Sequence, residues 1–258
     1  MSRRLLILWT VLAVCILAGI VKQAGGTTGR WSTVLNGVST TAPTLNPIGP
    51  DTTELPKPAL SAAARRKVPE AAYQYQRLIV TEAHTVFGLD APISTLASQL
   101  DQESGWRWNV KSGVGAGGLA QFMPGTAADM ARMYPTELGP ADINNPQWAI
   151  KAQQRYMRDL NRGFPGLTEC DTWAFGLSAY NGGAGWVARD KRVCRGKPGC
   201  KDAIWFGNVE ASPDTKRAPS NIKENRGYPK RILLTLTPAY VASSRGRGIE
   251  CVQGAQSK

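Results

Sequence analysis

The sequence predicts a mainly α-helical domain behind an apolar N-terminal segment and a flexible linker. Three observations carry that expectation. Apolar residues recur at three- and four-residue spacing in several segments between residues 69 and 236. Alternating strand patterns are scarce. Residues 24–68 hold much Thr, Gly, Ser and Pro, and neither period survives there.

The elements follow in order. Arg3 and Arg4 precede an uncharged run from Leu5 to Val21, which Lys22 closes. A stretch of that length behind two arginines reads as a transmembrane anchor or a signal segment over residues 1–23. A small-x-small cleavage site is poorly formed, so the anchor is favoured, with the arginines cytoplasmic and the rest exported. Residues 24–68, with Pro43, Pro47, Pro50, Pro56 and Pro58, form a linker that lets a domain stand off the membrane.

Helical signals begin at Pro69, a good first-turn residue, and Gly88 stops the first segment. A second helix starts near Pro92, carries Ile93, Leu96, Ala97 and Leu100, and ends at Ser104-Gly105. A third follows Thr126 as a cap. A fourth has Asn145 as cap and Pro146 in its first turn. A fifth runs from Asp171 to the breaker Asn181-Gly182-Gly183. A last one spans about residues 226–236 and ends before Pro238. The stretch 187–225 shows no clear period and reads as a basic, loop-rich insertion, centred on residues 187–223, in a domain that covers residues 69–258.

Lys and Arg number 31 against 19 Asp and Glu, a net charge of +12, and His84 is the single histidine. That composition excludes a histidine-built metal centre and points to an anionic partner: nucleic acid, an anionic membrane surface or an acidic polymer. Residues 190–231 alone hold 11 Lys/Arg and 5 Asp/Glu, so half of the net charge sits there. No nucleic-acid reading motif is present, and export argues against that partner. Setting Cys15 aside leaves Cys170, Cys194, Cys200 and Cys251. An even number in an exported chain reads as two disulfides. Of the three pairings, the close pair Cys194/Cys200 is the first choice, which leaves Cys170 with Cys251. A zinc site from all four thiolates is the rival, but no Cys-x-x-Cys knuckle supports it. No metal and no cofactor is expected.

Glu103 is the residue whose position is chemically unusual. It lies three residues after Leu100 and seven after Leu96, on the apolar stripe of its helix, whereas Asp101 points to the opposite side. Burial there raises a carboxyl pKa, and a carboxyl protonated at neutral pH can act as a general acid. An ion pair with Arg107 is the structural alternative. Four glycines follow within Gly113–Gly118, giving backbone that a bulky ligand can approach closely.

Four motifs in order then resemble the lytic transglycosylase family with a soluble-lytic-transglycosylase, goose-type-lysozyme-like catalytic domain. Glu103-Ser104 resembles its catalytic Glu-Ser pair. Gly118-Leu119-Ala120-Gln121 resembles Gly-Leu-Met-Gln, and Met123 to Ala127 continue it. Ala179-Tyr180-Asn181 resembles Ala-Tyr-Asn. Glu224-Asn225-Arg226-Gly227-Tyr228 resembles Glu-Thr-Arg-x-Tyr. Ala120 and Asn225 depart from the pattern, replacing methionine and threonine, and Pro229 follows Tyr228.

The resemblance implies a lysozyme-like fold and cleavage of the β-1,4 MurNAc-GlcNAc bond of peptidoglycan without water, leaving 1,6-anhydromuramoyl ends. It implies Glu103 as acid and then base, with Tyr180 as a supporting catalytic donor. Ser104, Gly118, Gln121, Asn181 and Glu224 become candidate substrate contacts, and Trp106, Trp108, Phe122 and Trp186 candidates for sugar faces. The implied partners are peptidoglycan glycan strands and, through the N-terminal segment, the inner membrane. The implied place is the membrane's periplasmic face, or the free periplasm if that segment is cleaved. A goose-type muramidase, with Asp101 or Asp129 activating water, is one alternative. A weakly active peptidoglycan-binding factor of an envelope-spanning secretion, conjugation or phage-entry machine is the other.

Overall fold

A computed structural model describes residues 66–251. The expected anchor over 1–23, nearly all of the linker and Cys15 lie outside the described residues. Nine α-helices are found among the described residues: α1 (Gln76–Phe87), α2 (Ile93–Ser104), α3 (Pro124–Met133), α4 (Pro135–Leu138), α5 (Pro146–Gly163), α6 (Glu169–Gly182), α7 (Ala184–Arg195), α8 (Pro219–Arg231) and α9 (Thr237–Ala242). Extended pairing among these residues is limited to the bridges Lys111–Gly117 and Gly117–Phe122. None of these helices is long and apolar enough to cross a membrane.

Helix α2 is the centre of the domain. It packs on α1, on α9 and on the segment joining α8 to α9. An apolar stripe was expected; instead every residue from Ile93 to Asp101 is buried. The Ser98 hydroxyl donates to the Ser94 carbonyl within the helix, and the first polar residues are satisfied by chain far away. The Ser94 hydroxyl donates to the Gly246 carbonyl at 2.6 Å, and Thr95 Oγ1 accepts the Ile249 N–H at 2.9 Å. Buried polar groups are stable only when so paired. Gly105, left-handed at φ 58°, then ends the helix and sets Glu103 in its last turn.

Helices α5 and α6 form a second layer, with α1 against α5 and both α7 and α8 against α6. Asn145 caps α5 as expected, its Oδ1 accepting the Gln147 N–H at 2.9 Å and the Trp148 N–H at 3.3 Å. Thr168 and Asp171 cap α6 reciprocally, so that helix begins two residues before Asp171.

Three expectations need correction. Helix α3 starts at Pro124, so Thr126 lies inside its first turn rather than capping it. The loop-rich stretch holds most of α7, a kinked turn at Trp205–Val209 and the start of α8. The last helix does not stop before Pro238. Between α8 and α9, Ile232–Leu236 winds wider, and the Thr237 N–H reaches back to the Ile232 carbonyl. Pro229 and Pro238, which lack an N–H, sit on either side of that wide turn, where the ordinary ladder is already interrupted. Tertiary packing supplies what the local pattern lacks: Ile232, Leu233, Leu236 and Tyr240 are all buried.

Both expected disulfides are present. Cys170–Cys251 ties α6 to the C-terminal segment, and Cys194–Cys200 closes the end of α7. Among the described residues no cluster of His, Cys, Asp and Glu has a metal-holding arrangement.

Candidate active site

A cleft of about 490 Å³ lies beside the end of α2. Glu103 enters it from α2, Tyr156 from α5, Tyr180 and Asn181 from α6, and Glu224, Tyr228 and Arg231 from α8. The loop between α2 and α3 forms another wall through Ser112, Val114, Ala116, Gln121 and Phe122. Residues 121 positions apart in the chain, Glu103 and Glu224, thus share one cavity.

The Glu103 carboxyl is pushed up from 4.5 to about 8. Burial is the main cause, and the nearby Glu224 charge adds to it. The Tyr228 hydroxyl opposes the shift by donating to Glu103 Oε1. Burial and the neighbouring Glu103 hold both the Tyr228 and Tyr180 phenols far above their ordinary range, so both remain protonated donors. Sequence reasoning missed Tyr228. Tyr228 stands in the fourth motif, but only folding carries α8 onto α2.

Tyr180 lines the same cleft, with its hydroxyl donating to the Ala120 carbonyl at 2.7 Å. It meets Phe122 edge-on and Tyr156 at a tilt. Gln121 also lines the cleft. Its amide nitrogen donates to the Gly118 and Val110 carbonyls, at 2.8 and 3.2 Å, which turns its carbonyl oxygen into the free end. Asn181 donates to Glu224 Oε1 at 3.3 Å.

Two candidates lie elsewhere. Ser104 is 2% exposed, and its hydroxyl donates to the Leu100 carbonyl on the core side of α2. Gly118 is buried with φ +75°, and a Cβ there would stand 1.6 Å from the Ile143 carbonyl oxygen. Its missing side chain serves loop packing rather than a ligand surface.

Of the aromatic candidates, Phe122 reaches the cleft. Trp106 is core, stacked near Tyr75 with its indole N–H on Tyr240. Trp108 is 49% exposed outside the cleft, and Trp186 lies under Arg189 and Arg217. Arg107 gives its Nε–H to the Ser104 carbonyl, so the expected alternative ion pair with Glu103 is not formed.

The carboxylates weighed for water activation also lie outside. Asp101 is bound by Arg66 at 2.8 Å and by the Tyr240 hydroxyl at 3.1 Å, on the far side of α2. Asp129 is exposed and paired with Arg132. The basic stretch 190–231 does not rim the cleft. Of its eleven cations only Arg231 lines the cavity, while Arg226 and Arg217 turn inward to Asp190, at 2.7 and 3.8 Å.

With this geometry in view, the family match is specific. The transglycosylase SLT domain matches residues 90–201, which include Glu103, Gln121, Tyr180 and Asn181. The chain is 34% identical over 136 residues to the soluble lytic murein transglycosylase of Salmonella typhimurium, covering 51% of this chain and 18% of that protein. It is 32% identical over 150 residues to the Escherichia coli K12 protein of that name, covering 57% of this chain and 20% of the other. It therefore spans about a fifth of these relatives' length. The solved 70 kDa soluble lytic transglycosylase of Escherichia coli superposes with a TM-score of 0.47 at 28% identity, over 67% of this chain and 25% of that one. The SLT match ends at residue 201, so Glu224, Tyr228 and Arg231 join the site through the fold.

Proposed function

We propose that this protein is a peptidoglycan lytic transglycosylase that cleaves the β-1,4 MurNAc-GlcNAc bond without water. The observation that carries the reading is Glu103, a cleft carboxyl held protonated up to about pH 8. Similarity to the murein transglycosylases supports the substrate.

Glu103 gives its proton to the glycosidic oxygen, and the bond from that oxygen to the anomeric carbon breaks. The acetamido oxygen of the same muramic residue attacks the anomeric carbon, replacing the carboxylate nucleophile used by most retaining glycosidases. Ionised Glu103, steadied by the Tyr228 hydroxyl, takes the proton of the 6-hydroxyl. That oxygen displaces the acetamido oxygen and closes the 1,6-anhydro ring. Tyr180 turns its hydroxyl from the Ala120 carbonyl to the acetamido group. The free carbonyl end of Gln121 and the amide of Asn181 take sugar hydroxyls. The domain works in the periplasm, held at the inner membrane by residues 1–23.

Digestion of purified peptidoglycan, read by mass spectrometry of the soluble muropeptides, tests this. Anhydromuramoyl ends are expected. Glu103→Gln should lower their release by about a hundredfold or more, the scale of a lost general acid. Unchanged release by that variant would sink the catalytic role and leave a peptidoglycan-binding factor. A second reading rests on Glu224, the other carboxylate in the cleft. A muramidase would use it to activate water, and reducing ends would be the product.

A further inference from the structure

Behind the cleft, a buried polar cluster surrounds Asn225, which is 1% exposed. Its amide nitrogen donates to the Ser178 carbonyl at 2.8 Å and to Asn181 Oδ1 at 3.1 Å. Its amide oxygen accepts from the Ser178 hydroxyl at 2.9 Å, from Arg226 at 2.9 Å and from Arg217 at 3.0 Å. Both arginines face Asp190, whose other oxygen accepts the Asp214 N–H at 2.7 Å. A Cβ on Gly182 would stand 2.6 Å from Asn225 Nδ2, so the end of α6 is kept bare for this side chain. From Asn181 the path continues to Glu224 at 3.3 Å, inside the cleft.

Only a carboxamide offers both halves of this arrangement at one position. Its oxygen faces three donors, and its N–H group fixes the Asn181 carbonyl oxygen. Fixing that oxygen turns the Asn181 N–H group toward Glu224. Glu224 is an exposed side chain and otherwise free to swing into water.

We infer that Asn225 is a positioning residue, which holds Glu224 in the cleft through Asn181 and couples that carboxylate to the Asp190–Arg217–Arg226 cluster. The inference rests on the catalytic reading of the cleft. The groups facing Glu103 are Tyr228, Glu224 and Arg231 of α8, Tyr180 of α6 and Tyr156 of α5. Glu224 is the one among them that Asn225 controls through this path.

The test is a carbon-13 NMR titration of the Glu103 carboxyl in the full chain, alongside the pH profile of kcat/KM. Freeing Glu224 removes like charge from beside Glu103, so its midpoint should fall. A drop of about half a pH unit is expected in Asn225→Thr, a roughly threefold loss of the protonated fraction above the midpoint. Glu224→Gln should show the same drop, and the double variant no more than either. Asn181→Ala removes one acceptor of Asn225 but keeps its bonds to Ser178, Arg217 and Arg226, and it should reproduce the drop even if Asn225→Thr does not fold. A Glu103 midpoint unchanged in Asn181→Ala, or additive shifts in the double variant, would overturn the coupling. A midpoint that falls in the variants, in a protein whose wild type releases no muropeptides, would sink the catalytic reading and keep the coupling, since the titration does not depend on turnover.

Discussion

Glu103 and Tyr228 set opposing demands on one proton. Burial and Glu224 favour the protonated carboxyl that the first step needs, and the Tyr228 hydroxyl favours the carboxylate that the second step needs. Tyr228→Phe removes the hydroxyl, so the Glu103 midpoint should rise above about 8. The basic limb of kcat/KM should move upward with it, and a limb that stayed in place would contradict this pairing. The same shift has a stability consequence. An unfolded Glu103 ionises near 4.5, and the folded one near 8. Between those values the folded state holds more protons, so stability falls as pH rises through that window. Glu103→Gln cannot ionise. Its melting temperature should gain on the wild type's as pH rises from 4.5 to 8, in thermal unfolding at matched ionic strength.

The α2–α3 connection shows how an element carries a site without supplying its chemistry. The sequence suggests that Gly113–Gly118 bare their backbone for a ligand. In the fold, Ala116 and Gln121 face the cleft, while Gly118 packs its backbone against Ile143. Gly118→Ala combines a left-handed φ with an overlap that only a backbone shift relieves. It should destabilise the domain by about 3 kcal/mol or more, measured by chemical denaturation. Gly113→Ala meets nothing within 4 Å and is the matched control. Local signals placed the elements with short-range causes: Asn145 before Pro146, Gly88 and Gly105 after their helices. The wide turn at Ile232–Leu236 and helix α7 were illegible because tertiary burial, not periodicity, holds them.

Across the whole molecule the two disulfides differ in reach. Cys170–Cys251 closes 81 residues, Cys194–Cys200 only 6. On loop entropy the longer closure contributes about 4.5 kcal/mol and the shorter about 2. A Cys170→Ser/Cys251→Ser variant should therefore lose more stability in denaturant than Cys194→Ser/Cys200→Ser. Equal losses would mean that native-state strain, not loop length, governs both. The long bridge also holds down the C-terminal segment whose Gly246 and Ile249 complete the burial of α2. The chain's charge is likewise settled at this scale. Of the arginines in residues 190–231, Arg217 and Arg226 neutralise Asp190 inside the fold, and Arg231 reaches the cleft.

The helical class, the starts of α2 and α5 and the candidate acid were legible in the sequence, because each depends on neighbours within a few positions. A cap, a breaking glycine and a carboxyl on an apolar stripe are all local facts. The partner of that carboxyl, the second cleft carboxylate and the buried path behind it were decided only by tertiary structure. Glu103 meets Tyr228 across 125 positions, and Ser178 meets Asn225 across 47. Side chains so far apart in sequence are brought together by the packing of α2, α6 and α8, and no short-range pattern encodes that packing.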